Sequence, residues 1–224
     1  ASVLTHNMGN IDKVTFFIDE CKHQGIEVLG PDINESLSKF NVNKKGQIRF
    51  GLQAIKGAGD AAVQAVINER NENGAFKSIF DLVERLNLNK KTFEALVMGG
   101  AFDGFGTIHR AQYFNKKDSE NENNIEKIIK YGKRKQEEAS SAQVSMFGGS
   151  SGVSLAEPTL PDCPKWTEIE KLNHEKEVVG FYISGHPLDQ YKIQIDNFCN
   201  ATLEDLQNLE ELWERKKGEN RMAG

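Results

Sequence analysis

The sequence predicts a mainly α protein: a helical opening segment with one small β-hairpin, a denser helical region, a flexible linker and further helices. Three observations predict it. Apolar residues recur at helical spacing along most of the chain, as in Val14-Phe17-Ile18-Cys21 and Ile79-Leu82-Val83-Leu86. Residues that cap helices, and glycines that end them, stand at the borders of those stretches. Strand-like alternation is confined to two short runs, Phe40-Asn41-Val42 and Gln47-Ile48-Arg49-Phe50, around Asn43-Lys44-Lys45-Gly46.

The first helix is expected after Asn10, whose side chain caps it, and Gly25 ends it. Ile26 to Leu29 reads as a short strand before Pro31. After the hairpin, Ala62, Val63, Val66 and Ile67 make an apolar stripe that closes near Arg70, and Gly74 breaks the chain. Ser78 caps the next helix. Another begins near Asn89, carries Phe93, Leu96 and Val97, and stops at Gly99-Gly100. A turn at Phe102 to Gly106 leads into a helix around His109-Arg110-Ala111-Gln112. Residues 115–139 are polar, with only Ile125, Ile128, Ile129 and Tyr131 for a stripe, and read as a largely solvated helix. Residues 140–164 are rich in Ser, Gly and Pro and read as a flexible linker. Helices follow from about Trp166 to Val179 and from Thr202 to about Lys216, the second opened by a near capping box of Thr202 and Asp205. Trp166 and Trp213 are expected to pack on the apolar sides of these helices.

Composition narrows the function classes. The 224 residues are 38 % hydrophobic and 27 % charged, with a net charge of −5. That suits a soluble protein with a modest core and argues against a surface coated in basic residues. A local basic patch is still compatible with it, because phosphate binding depends on where the charges sit. No apolar run reaches membrane-spanning length, and no secretory pattern stands at the start. Cys21, Cys163 and Cys199 have neither metal-ligand spacing nor an even count, which points to a reducing cytoplasm. The carboxylates between Asp118 and Glu138 lack a metal-loop pattern, so no metal or cofactor is expected in this chain. His186 before Pro187 has no nucleophile or carboxylate set around it and reads as a turn residue. No catalytic residue is assigned.

The chemistry-bearing feature is Ile55-Lys56-Gly57-Ala58-Gly59, followed by the Ala- and Val-rich run from Ala61. Glycines permit a tight turn, and the helix that the turn opens points free N–H groups and a positive dipole end outward. A phosphate fits there, and Lys56 adds a charge beside it. The pattern is similar to a helix-hairpin-helix, which grips the nucleic-acid backbone without reading bases. Gly104-Phe105-Gly106 looks like a degenerate second copy, giving a tandem pair. Candidate DNA-binding residues are Arg49, Lys56, Gly57, Ala58, Gly59 and Arg110. Lys44 and Lys45 at the hairpin tip, and Lys90, Lys91 and His109 near the second turn, are further cations that solvation alone also explains. The basic run Lys127 to Lys135 reads as a solvated face.

A second feature sits in the linker: Gln143-Val144-Ser145-Met146-Phe147, before Gly148-Gly149. Two large apolar side chains in a Ser/Gly-rich stretch gain nothing unless something buries them, and burying each is worth roughly 1.5–3 kcal/mol. Part of that is spent ordering the segment, which predicts a weak-to-moderate affinity. The shape Gln-x-x-apolar-Phe is similar to the peptide that bacterial replication proteins dock into a sliding clamp. Folding of Met146 and Phe147 back onto this chain's own core is the alternative.

Together, several stretches resemble the bacterial DNA polymerase III alpha subunit family, the C-family replicative polymerases. They are Leu4 to Val14, Val28 to Ser36, Ile48 to Gly57, Ala101-Phe102-Asp103 and Ile183-Ser184-Gly185-His186-Pro187-Leu188-Asp189. Gly30 departs from the second proline usual there. The resemblance implies that residues 1–51 are the C-terminal part of the fingers and 52–139 a tandem helix-hairpin-helix domain on duplex DNA. It makes 140–164 the linker with the clamp peptide, 165–217 a helical connector and 218–224 the start of an OB domain. It places the catalytic aspartates and their Mg ions in upstream domains, so this chain alone is expected to be inactive. The implied partners are primer–template duplex, the sliding clamp and other replisome subunits, with no membrane, in the cytoplasm. A helical scaffold that meets only proteins is the competing function, favoured by the acidic net charge. Independent nucleotidyl transfer lacks a plausible aspartate pair.

Overall fold

A computed structural model describes residues 1–117, 120–144 (141–144 by backbone only) and 155–200. They fall into two units, Ala1–Ser184 and the residues from Gly185 onward.

In the first unit, α1 (Ser2–His6) precedes α2 (Ile11–His23), and the Asn10 side chain accepts the Lys13 N–H to cap α2. Val14 and Ile18 turn its apolar face inward. The strands are short: β1 (Val28–Leu29), β2 (Asn41–Val42) and β3 (Ile48–Arg49). β2 and β3 form the expected antiparallel hairpin, turned by Asn43, whose Oδ1 accepts the N–H groups of Lys45 and Gln47. β1 then adds to the other side of β3 in parallel, giving the order β1-β3-β2. Phe40 and Phe50 close the sheet's inner face, edge to face at 4.7 Å.

A single 3-10 turn, Leu52–Ala54, leads through the first glycine turn into α3 (Asp60–Asn73). Helices α4 (Ile79–Arg85) and α5 (Lys90–Met98) are capped by Ser78 and Asn89, as their sequences require. A 3-10 turn over Asp103–Phe105 and Gly106 connects to α6 (Arg110–Phe114). One continuous core joins the opening segment to these helices, from Leu4 and Phe50 through Leu52 and Phe93 to Val178. Arg70, near which the apolar stripe closes, is itself buried. Its guanidinium donates to the Ile33 and Ser36 carbonyls at 2.7 and 2.5 Å, fastening α3 to the loop after β1.

Two expectations are corrected here. The polar helix, α7 (Asn124–Val144), starts later than expected and is not loosely supported. Ile125 and Ile128 are fully buried, Tyr131 is nearly so, and the helix packs along α4. Gly132 explains how so sparse a stripe suffices: a Cβ there would lie 2.7 Å from the Val83 Cβ and closer still to the Val83 carbonyl oxygen. The missing side chain lets the two helices approach closely. Alanine in place of glycine normally favours a helix by ~1 kcal/mol. Here overpacking by about 1–3 kcal/mol outweighs that. Gly132→Ala is therefore expected to lower stability, read as a reduced urea midpoint; a raised midpoint would contradict the close approach.

The bounds of the linker are the second correction. Its first residues continue α7 to Val144, and residues 155–164 follow the surface without regular structure while Leu155 and Leu160 pack on the core. Asn115 donates to the Pro161 carbonyl at 3.2 Å and Gln112 to the Leu160 carbonyl at 3.3 Å, holding this return path. Helix α8 (Glu168–Val179) opens with a full capping box between Thr167 and Glu170. Trp166, just before it, packs in a three-ring cluster with Phe114 and His174, whose ring centres lie 5.5 and 4.1 Å from it and 6.5 Å from each other.

The second unit shows a turn in which the His186 N–H donates to Asp189 at 2.6 Å, and His186 Nδ1 accepts the Leu188 N–H. Helix α9 (Lys192–Phe198) follows, an element the sequence reading did not include. The expected helix from Thr202, with Trp213, and the expected start of an OB domain lie outside the described residues.

Candidate nucleic-acid interface

Each residue of the first glycine turn is held by a specific contact. Ile55 and Ala58 are buried and anchor it. The Lys56 N–H donates to the Val178 carbonyl at 2.7 Å, so the C-terminal end of α8 supports the turn from below. Gly57 has φ +98°, and a Cβ on it would press on the Ala95 Cβ at 3.3 Å. Its carbonyl accepts the Thr92 hydroxyl at 3.3 Å. Gly59, at φ +74°, is the residue before α3 and brings no side-chain acceptor to the helix. The first α3 backbone bond recorded from this end runs from the Val63 N–H to the Gly59 carbonyl at 3.0 Å. The amides of the first turn therefore face solvent beside the helix's positive end, on a surface where Gly59, Asp60 and Ala61 are exposed.

Two lysines flank these amides. Lys56 is exposed, as expected from its place in the turn. Lys91, assigned by sequence order to the second turn, stands at the first: its Cε lies 3.9 Å from where a Gly57 Cβ would be. Its neighbour Lys90 is committed elsewhere, to Glu126 at 2.9 Å and Glu94 at 3.8 Å, and the Glu126 hydrogen bond raises its pKa. Asp60, in the first turn of α3, is the one carboxylate within this stretch and opposes an incoming phosphate. Uncapped amides and two lysines against a single exposed carboxylate leave the turn net attractive to an anion.

The structure gives two of the sequence candidates another job. Arg49 reaches back from β3 to the Gly30 carbonyl at 3.0 Å and pairs with Glu35. It braces the loop after β1 and does not extend the charge at the turn. Arg110 is 90 % buried. Its Nε bonds both Asp103 oxygens at 3.0 Å, and its Nη1 bonds Glu175 at 2.8 Å. Burial alone would lower the Arg110 pKa; Asp103 and Glu175 outweigh it and raise it. Glu175 is 1 % exposed, and its other oxygen accepts the amides of Ile183 and Ser184 at 3.1 and 2.9 Å. Arg110 is thus the internal brace of the second turn, tying it to α8 and to the segment after α8. The basic run on α7 is answered in part by neighbouring acids, Lys127 by Glu120 and Lys130 by Glu122. Lys44 and Lys45 stay exposed at the hairpin tip.

The two glycine turns are not copies in detail. In the first, a positive-φ glycine immediately precedes a 14-residue helix. In the second, Gly106 at φ +69° is followed by Thr107 and Ile108 before His109 caps a five-residue helix through Nδ1. Of the peptide Gln143–Phe147, only the backbone of Gln143 and Val144 is described, as the end of α7; Ser145, Met146 and Phe147 lie outside the described residues. Among the described residues no group of three or more His, Cys, Asp or Glu side chains is placed to hold a metal ion.

Comparison with known proteins agrees with this geometry. The helix-hairpin-helix motif family matches residues 25–113, which span the sheet and both glycine turns. The chain is 36 % identical over 210 residues to the DNA polymerase III subunit alpha of Haemophilus influenzae, covering 92 % of this chain and 17 % of that protein. It is 35 % identical over 215 residues to the subunit of the same name from Escherichia coli (strain K12), covering 94 % and 18 %. With the Xylella fastidiosa subunit the match is 33 % over 227 residues, 99 % of this chain and 18 % of that one. The chain therefore spans less than a fifth of the length of these relatives.

Proposed function

Because the chain belongs to the DNA polymerase III alpha family, of which it matches one segment, we propose that it holds duplex DNA for a replicative polymerase. The observation that carries this reading is the uncapped amino end of α3 flanked by Lys56 and Lys91. Amides and ammonium groups satisfy phosphate oxygens and offer nothing that distinguishes one base from another, so the grip is indifferent to sequence. Retention is its contribution, and we assign no bond-making step to it. Titration of fluorescent duplex with the wild-type chain and with Lys56→Glu/Lys91→Glu tests the reading. Affinity should fall sharply in the variant; equal affinity would remove the turn from the interface.

The second part of the proposal is a tether. The peptide Gln143–Phe147 supplies two large apolar side chains and a polar glutamine, the composition of a short docking peptide. Its partner is the sliding clamp of the replisome. A ring on the same DNA makes rebinding local at a high effective concentration, so a weak peptide suffices. Replacing Met146 and Phe147 with alanine together should reduce clamp affinity at least tenfold in surface-plasmon measurements. Unchanged affinity would show that the tether lies elsewhere. The described residues contain no helix long and apolar enough to cross a membrane. We take the site of action to be the cytoplasm.

A further inference from the structure

We infer that Thr92 is a positioning residue of the first glycine turn: its hydroxyl holds the turn against α5, so that Lys91 stands beside the α3 amides. The inference rests on the duplex-binding reading and deepens it, naming a neutral side chain on which the placement of one cation depends.

Thr92 is 3 % exposed and lies in the first turn of α5, immediately after Lys91. Its own amide is taken by the Asn89 cap at 2.9 Å. A helical threonine commonly turns its hydroxyl back to a carbonyl three or four residues earlier in its own helix. Here the residue four back, Leu88, precedes α5, and the hydroxyl crosses instead to the Gly57 carbonyl at 3.3 Å. The same Oγ1 lies 3.8 Å from where a Gly59 Cβ would be, so one atom faces both glycines of the turn. Among the described residues no other donor to the Gly57 carbonyl is recorded. Lys91, Thr92 and Ala95 are spaced to share one face of α5, and all three approach Gly57. Whatever holds Thr92 to the turn therefore sets where Lys91 stands.

Lys91 gains nothing locally from its place. The first turn of α5 contains two lysines and no acid, so both stand at the positive end of the helix dipole, where a cation is unfavourable. Lys90 is compensated by Glu94 and Glu126. Lys91 is exposed, and no ion pair is recorded for it among the described residues. A phosphate brought to the α3 amides supplies the missing counter-charge.

Valine keeps the shape of threonine and removes the donor. The Gly57 carbonyl, half-buried, must then turn toward water to recover a partner, which draws the turn away from α5. Serine keeps the donor. No charge changes in either variant, so a change in salt dependence reports the placement of Lys91 and not the number of cations.

The test uses the full 224-residue chain and a labelled duplex across a salt series, with circular dichroism to verify the fold. Thr92→Val and Thr92→Ala both lack the hydroxyl and should reproduce the loss of one cation. Binding near 0.1 M salt should weaken about eightfold, and the slope of log K against log salt should become shallower by about 0.9. Thr92→Ser should keep the wild-type affinity and slope. Added to Lys91→Gln, Thr92→Val should cost no more than about twofold, because the cation it places is already gone. A lower Tm with an unchanged slope is the mark of a purely structural threonine and overturns the inference. So does a Thr92→Val loss that adds in full to that of Lys91→Gln. A second measurement needs no DNA: the NOE between the Lys91 Hε and Gly57 Hα protons should be present in the wild type and Thr92→Ser and lost in Thr92→Val. Its persistence in Thr92→Val also overturns the inference. If Lys56→Glu/Lys91→Glu weakens duplex binding while Thr92→Val matches the wild type, this inference alone falls. If duplex binding ignores Lys56→Glu/Lys91→Glu, the duplex reading falls, and the NOE decides by itself whether Thr92 holds Lys91 at the turn.

Discussion

Arg110→Ala is expected to destabilise the protein by about 3–5 kcal/mol, because it leaves a buried carboxylate without its counter-charge. Glu175 is 1 % exposed and cannot turn to water. Its Oε2 keeps the amides of Ile183 and Ser184, while its Oε1 loses the Arg110 guanidinium. Asp103 is nearly half exposed and recovers solvent, so its share of the loss is small. For a chain of this length the change corresponds to a fall of roughly 10 °C in Tm. Arg110→Ala/Glu175→Gln should regain part of it, since the neutral amide removes the orphaned charge yet still accepts from Ile183 and Ser184. Differential scanning calorimetry on the two variants separates the structural role from the surface role that the sequence suggests for Arg110. A surface contact would leave Tm within about 1 °C of wild type and lower only DNA affinity.

The contrast between Arg110 and Lys56 shows what the sequence carried and what it withheld. Helix starts were legible because their signals are local: Asn10, Ser78 and Asn89 each bond an amide three residues ahead. The hairpin around Asn43 was legible for the same reason, and so was the glycine turn, whose conformation is written in Gly57 and Gly59. The parallel addition of β1 to β3 was not, because nothing in Val28-Leu29 names its partner. Burial of α7 hid behind a sparse stripe, and the cause lies in Gly132 facing Val83, a contact between helices about fifty residues apart. Arg110 and Glu175 are 65 positions apart. Periodicity records which face of a helix is apolar; it does not record which two charges will meet inside. Lys91 joined the first turn for a related reason. Thr92 bonds the Gly57 carbonyl across 35 residues and carries its neighbour along.

The second large effect concerns duplex binding itself. Each phosphate contact contributes about 0.9 to the slope of log K against log salt, which near 0.1 M amounts to about eightfold in affinity. Losing the contacts of Lys56 and Lys91 together therefore predicts about a 60-fold loss, and the introduced carboxylates add repulsion to it. The α3 amides persist in the variant, so binding is weakened and not abolished. The most direct measurement is fluorescence anisotropy of a labelled duplex with both proteins across a salt series. The account predicts a steep, linear fall of log K for the wild type and a slope shallower by about 1.8 for Lys56→Glu/Lys91→Glu. Two lines of equal slope and equal affinity would contradict it.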